Sequence, residues 1–151
     1  MSSFKKVLCP VSLTEISPKI AKYVREVVKE FGAELHLMFV IFSISQRERV
    51  HIKYAVPRDF DEQAMVQAET ALEKFRNEHL ADLPNCKLVV KCGDVAEEIQ
   101  AYAESEGIDL ITMGTHGRRG ASQVFLGSVA AGVLQKAPVP VFVVNPFTVS
   151  D

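Results

Sequence analysis

The chain has 151 residues, 48% of them hydrophobic and 24% charged, and 17 basic against 19 acidic side chains give a formal net charge of −2. That length suits one domain, residues 1–151, rather than two, and a balance so close to neutral makes no electrostatic case for nucleic acid or a membrane surface. The longest apolar run, Leu35 to Ile44, is broken by His36 and Ser43, and it is far short of the ~20 residues that cross a bilayer.

The first six residues lead straight into a strand-like run without the apolar stretch of a signal peptide, so a cytoplasmic location is expected. Cys9, Cys86 and Cys92 lack Cys-x-x-Cys spacing. They read as reduced, mostly buried thiols rather than a disulfide framework or a zinc site.

In chain order, Val7 to Val11 is a short apolar run and predicts strand one. Ser17-Pro18 supplies an N-cap and first-turn pair. Ile20, Ala21, Val24, Val27, Val28 and Phe31 then recur at helical spacing, and Gly32 stands where a left-handed residue ends a helix. Leu35 to Phe42 is nearly continuously apolar, the pattern of a parallel strand covered on both faces. A mixed polar and basic stretch from Ser43 to Arg58 predicts a long loop. Periodicity resumes at Ala64, Ala68, Ala71, Leu72 and Phe75 as a second helix. Cys86 to Cys92 predicts strand three. Gly93-Asp94 opens a third helix through Val95, Ala96, Ile99 and Ala103, which Gly107 ends. Ile108 to Met113 predicts strand four, Val129, Ala130, Val133 and Leu134 a fourth helix, and Val139 to Val144 strand five. Strict β-α alternation predicts a single-domain, doubly wound parallel sheet of the α/β class, with helices on both faces. Pro140 has no N–H for a central ladder, so the fifth strand is expected at an edge. Left bare, that apolar edge invites pairing with a second copy, and a homodimer through Val139 to Val144 is expected.

The segment with chemical content is Gly114 to Ser128, between strand four and helix four. Loops at the carboxyl ends of central strands in such sheets are where ligands bind. Glycines 114, 117, 120 and 127 let backbone N–H groups approach an anion, and the following helix start adds partial positive charge. Arg118 and Arg119 can supply charge, and Ser128 offers a hydroxyl. These features predict a phosphate site.

The spacing Gly-x2-Gly-x9-Gly-Ser, through Gly114, Gly117, Gly127 and Ser128, resembles the nucleotide-binding signature of the universal stress protein family. Further blocks agree in order and spacing: Val7 to Val11, Glu34-Leu-His-Leu, Asp109 to Arg118, Leu126 to Ala130, and Ala137 to Val144. The resemblance implies a five-stranded sheet in the order 3-2-1-4-5, a dimer through the last strand, and ATP bound with a divalent metal, Mg2+ or Mn2+, held mainly by the phosphates. It places Pro10, Val11 and Val40 around adenosine and Met113 and Gly114 near the ribose. Gly117, Arg118, Gly127, Ser128 and Val129 fall at the phosphates. Many relatives carry an acidic residue just after strand one where this chain has Ser12, and some carry a hydroxyl residue where it has Ala130.

The remaining polar residues have plainer explanations. His116 is a candidate for the site, although a loop histidine more often stabilises its loop. His36 reads as a packed or partly exposed strand residue, while His51 and His79 read as surface residues without partners at metal-ligand spacing. Arg47, Arg49, His51 and Lys53 fall in the long loop, and Glu97 and Glu98 favour the dipole of helix three without any catalytic role. No Gly-x4-Gly-Lys-Ser/Thr, Gly-x-Gly-x2-Gly or Gly-x-Ser-x-Gly sequence occurs, which disfavours a P-loop NTPase, a dehydrogenase and an α/β-hydrolase. Three readings stay open: a dimeric regulatory module holding ATP, ADP or AMP and acting on an unknown protein partner, a slow ATPase or phosphoryl-transfer enzyme in the same pocket, and an interaction dimer without nucleotide.

Overall fold

The computed structural model describes residues 4–43, 58–117 and 125–150. Short apolar runs alternate with amphipathic segments, and each run becomes a strand because only a sheet interior covers both of its faces. The elements are β1 (Lys6–Pro10), α1 (Ser17–Phe31), β2 (Glu34–Phe42), α2 (Arg58–His79), β3 (Cys86–Gly93), α3 (Val95–Ser105), β4 (Leu110–Gly114), α4 (Ser128–Lys136) and β5 (Val141–Val144). The five strands form one sheet in the order β3-β2-β1-β4-β5, every pair parallel. Chain direction across the sheet therefore reverses between β1 and β4, which opens a crevice at their carboxyl ends.

Alternate side chains divide the core into two layers. Val7 and Cys9 of β1 pack with Ile20, Val24 and Val28 of α1 and Leu72 and Phe75 of α2 on one face. Leu8 packs with Met38, Ile99, Tyr102, Ala130 and Val133 on the other. Full burial of one such aliphatic side chain is worth ~1.5–3 kcal/mol. All five residues of β4 are buried, which marks its place inside the sheet.

Several boundaries and environments differ from expectation. Ser17 is the first helical residue of α1 instead of its N-cap; Ile16 caps with helical φ and ψ, and the Ser17 hydroxyl accepts from the Thr14 N–H at 3.0 Å. Gly32 does adopt the left-handed conformation, with φ 61°. The fifth strand starts at Val141, so Val139 and Pro140 precede it; the Pro140 carbonyl still accepts from the Ile111 N–H at 3.0 Å. Strand four starts at Leu110, because the Ile108 N–H is drawn back to the Ala103 carbonyl at the end of α3. Of the thiols, Cys9 alone is buried, while Cys86 is half-buried and Cys92 exposed. Both of the latter lie on β3, an edge strand with one side uncovered. Burial pushes the Cys9 thiol up to about 12 against a hydrogen bond from Thr112 that pulls the other way. The polar loop expected from Ser43 to Arg58 lies almost wholly outside the described residues.

Candidate functional site

The crevice between β1 and β4 is a cleft of about 840 Å3. Pro10, Val11 and Ser12 leave β1 along one wall, and Val40 of β2 stands behind them. Met113 and Gly114 end β4 as the floor, followed by His116 and Gly117, and Gly127, Ser128 and Val129 open α4 on the far side. Eleven of the twelve residues expected at a ligand thus line one cleft, and Arg118 lies outside the described residues, as does Arg119. Thr14, Phe39, Phe42 and Thr115 also line it. Sequence reasoning passed over these four; Thr115, a hydroxyl residue directly beside Gly114, carried the clearest signal.

Two of the glycines, Gly127 and Gly114, are dictated by close approaches. A Cβ on Gly127 would lie 2.7 Å from the Thr115 carbonyl oxygen, which accepts the Gly127 N–H at 2.9 Å. A Cβ on Gly114 would collide with the Ile20 side chain of α1. Backbone-to-backbone approach of this kind brings the two ends of the loop together at the mouth of the cleft.

The start of α4 faces the cleft without a cap. Gly127 has no side chain to offer, and the first intrahelical bond runs from Ala131 N–H to the Gly127 carbonyl at 2.9 Å. The N–H groups of Ser128, Val129 and Ala130 consequently precede the ladder. At α3, by contrast, the Asp94 carboxylate fills that position and accepts from Glu97 N–H at 3.0 Å.

Opposite α4, a hydroxyl cluster holds the loop. Ser12 Oγ donates to the Gly117 carbonyl at 2.8 Å and lies 3.0 Å from Thr14 Oγ1 and 3.2 Å from Ser17 Oγ, while Thr14 Oγ1 also reaches the Gly117 carbonyl at 2.5 Å. Between them Leu13 has φ 56°. For a residue with a Cβ this left-handed conformation is strained, and the surrounding hydroxyl bonds hold it. His116 is buried, with Nδ1 2.8 Å from Thr115 Oγ1 and Nε2 2.5 Å from the Phe125 carbonyl.

His36, expected as a packed or partly exposed strand residue, is 2% exposed. Its Nδ1 lies 2.7 Å from the Tyr102 hydroxyl and its Nε2 2.6 Å from a Glu34 carboxylate oxygen, which accepts. Burial, then the charges of Glu106 and Glu34, pushes the Tyr102 phenol up to about 12. Among the described residues no three His, Cys, Asp or Glu side chains converge as a metal site, and no helix is long and apolar enough to cross a membrane.

A five-stranded parallel sheet of order 3-2-1-4-5, with a glycine-lined cleft at its switch point, defines an open α/β domain, a class in which ligand sites are found at the carboxyl ends of the strands. The chain belongs to the universal stress protein family, whose profile matches residues 3–145. It is 30% identical over 149 residues to Universal stress protein MJ0531 of Methanocaldococcus jannaschii, covering 94% of this chain and 82% of that one. It is 29% identical over 155 residues to Universal stress protein MJ0577 of the same organism, covering 94% and 95%. The solved structure of MJ0577 superposes with a TM-score of 0.77 at 30% identity, covering 95% of this chain and 96% of that one. A universal stress protein crystallised in complex with cAMP shares the fold at 16% identity, with a TM-score of 0.70 over 96% of this chain and 99% of that one.

Proposed function

We propose that this universal stress protein is an ATP-binding regulatory module, cytoplasmic and homodimeric, with slow or no hydrolysis. The carrying observation is the uncapped start of α4 on the glycine-lined cleft, where backbone N–H groups and the helix dipole meet whatever anion enters. Gly117, Gly127, Ser128 and Val129 would take the phosphates, with Arg118 beside them. Pro10, Val11, Val40 and Met113 give an apolar wall suited to adenosine, and Gly114 leaves room at the ribose. Mg2+ or Mn2+ would be held mainly by the phosphates and would neutralise their charge; Glu15 lines the same cleft. The nucleotide's occupancy would be read by a protein partner at the surface.

Ser128→Asp separates binding from folding. An acidic residue in the first turn of α4 favours the helix dipole but repels phosphate. The melting temperature is expected to hold or rise, while ATP affinity falls about tenfold or more, as read by calorimetry with ATP-Mg and with GTP-Mg. Equal ATP affinity in wild type and variant would remove the phosphates from the start of α4.

A second reading, an interaction dimer that holds no nucleotide, is favoured by Ser12. Its hydroxyl proton is committed to the Gly117 carbonyl, at the position where many relatives carry an acidic residue. Absence of any thermal shift with ATP, and of nucleotide released from purified protein on denaturation, selects this reading.

A further inference from the structure

His116 stands in the cleft wall yet spends both ring nitrogens on protein. The Phe125 carbonyl only accepts, so Nε2 carries a proton, and Nδ1 meets the Thr115 hydroxyl. The bond to Phe125 spans nine residues and ties the leg of the loop leaving β4 to the leg entering α4. The Gly127 N–H to Thr115 carbonyl bond is the second rung of the same closure.

The imidazole is itself braced from outside the loop. The Phe147 ring meets it edge-on, with centroids 4.9 Å apart and planes at 65°. Phe147 belongs to a turn directly after β5 that Asn145 builds: its side-chain oxygen accepts from Phe147 N–H at 3.0 Å and its carbonyl from the N–H groups of Thr148 and Val149 at 3.3 Å. Further on, the Tyr23 hydroxyl of α1 donates to the Ser150 carbonyl at 2.9 Å. The turn therefore has its own anchors and presents Phe147 as a fixed edge.

We propose that His116 is a positioning residue that sets the spacing of the two legs of the glycine loop, and that Phe147 of the C-terminal turn holds it in place. The consequence for phosphate binding rests on the nucleotide reading above; the closure itself does not. A ring with both nitrogens engaged has no proton left for a ligand, so its effect on the cleft is exerted through the backbone of Thr115, Phe125 and Gly127.

Hydrogen exchange at the Gly127 amide of the full-length, nucleotide-free protein reads the closure. His116→Ala is expected to accelerate it about tenfold or more, and Phe147→Ala roughly three- to tenfold. His116→Gln, whose side-chain amide can donate to Phe125, is expected within about threefold of wild type. Exchange unchanged in Phe147→Ala overturns the brace, and exchange unchanged in His116→Ala overturns the whole inference. The imidazole 15N spectrum is expected to show the Nε2–H tautomer, and the Nδ1–H tautomer would contradict the assignment. ATP affinity is expected to follow the same ranking of variants. If His116→Gln loses ATP as fully as His116→Ala while Gly127 exchange stays slow, the ring touches ligand directly and the positioning role is wrong. A wild-type protein that binds no ATP overturns the nucleotide reading instead, and Gly127 exchange still decides the role of His116.

Discussion

A serine hydroxyl has one proton and two lone pairs; at Ser12 the proton goes to the Gly117 carbonyl, which also takes the Thr14 proton, and Ser17 Oγ stands 3.2 Å away, within reach of one lone pair. The residue therefore serves the loop and has no proton left for a nucleoside while that bond persists. An aspartate there would accept only, could not bond the Gly117 carbonyl, and would free a charged acceptor for a sugar or base. Ser12→Asp is expected to lower the melting temperature by a few degrees, since ~1 kcal/mol moves a domain of this size by about 2–4 °C. ATP affinity is expected to rise about tenfold, because a charged hydrogen bond contributes ~1.5–3 kcal/mol. Calorimetry showing weaker ATP binding in the variant would overturn the view that Ser12 displaces the nucleoside anchor. The type of residue at position 12 was readable from the sequence, but the commitment of its proton was not: the bond to Gly117 joins residues 105 apart in the chain, and only the folded crevice supplies that neighbour.

At the scale of the element, the helix ends were legible wherever a local rule decides them. Gly32 ends α1 in a left-handed conformation, and Asp94 caps α3 by a bond within four residues. The start of α1 was misread because Ser17 bonds backwards to Thr14, in service of the strained turn at Leu13, rather than forwards into its helix. Gly127 was legible as a glycine for backbone reasons, yet its neighbour was not, since the Thr115 carbonyl comes from the other leg of the loop. Gly127→Ala places a Cβ against that carbonyl at 2.7 Å and is expected to destabilise the fold by ~1–3 kcal/mol in urea denaturation. A midpoint equal to wild type would contradict the close approach. The starts of β1 and β4 are tied by Asp109, whose carboxylate accepts from the N–H groups of Lys5 and Lys6 at 2.8 and 2.9 Å. Those two bonds hold its carboxyl below the usual value of 3.8. The folded state thus gains stability from the ionised form above the unfolded pKa, and loses it as pH falls through the lowered folded one. Asp109→Asn is expected to be less stable than wild type at neutral pH, with the difference narrowing below about pH 4; a difference constant from pH 7 to 2 would show that the carboxylate's charge plays no part.

Across the whole molecule, strict alternation of strand and helix was sufficient to predict the class, and the order 3-2-1-4-5 came with the family resemblance. The edge position of β5 was expected from Pro140 and is observed, but the proline lies just ahead of the strand and does not itself impose it. On that edge Phe142 and Val143 remain 42% and 38% exposed, large apolar side chains on opposite faces of a strand paired to β4 on one side only among the described residues. Dimerisation along β5 would cover them. Val143→Lys is expected to convert a micromolar dimer to monomer in sedimentation, with little change in monomer stability because the side chain is already exposed; a wild-type protein sedimenting as monomer at that concentration would rule the dimer out.

The cleft also has a mechanical meaning that its lining alone does not express. Ile20 belongs to the layer on one side of the sheet, Val40, Met113 and Ala130 to the layer on the other, and all four border the same crevice. An occupant there acts as a rivet through both layers at the seam where the chain changes direction. Its binding energy would enter the cooperativity of the entire domain, raising one shared melting transition instead of stiffening a single loop.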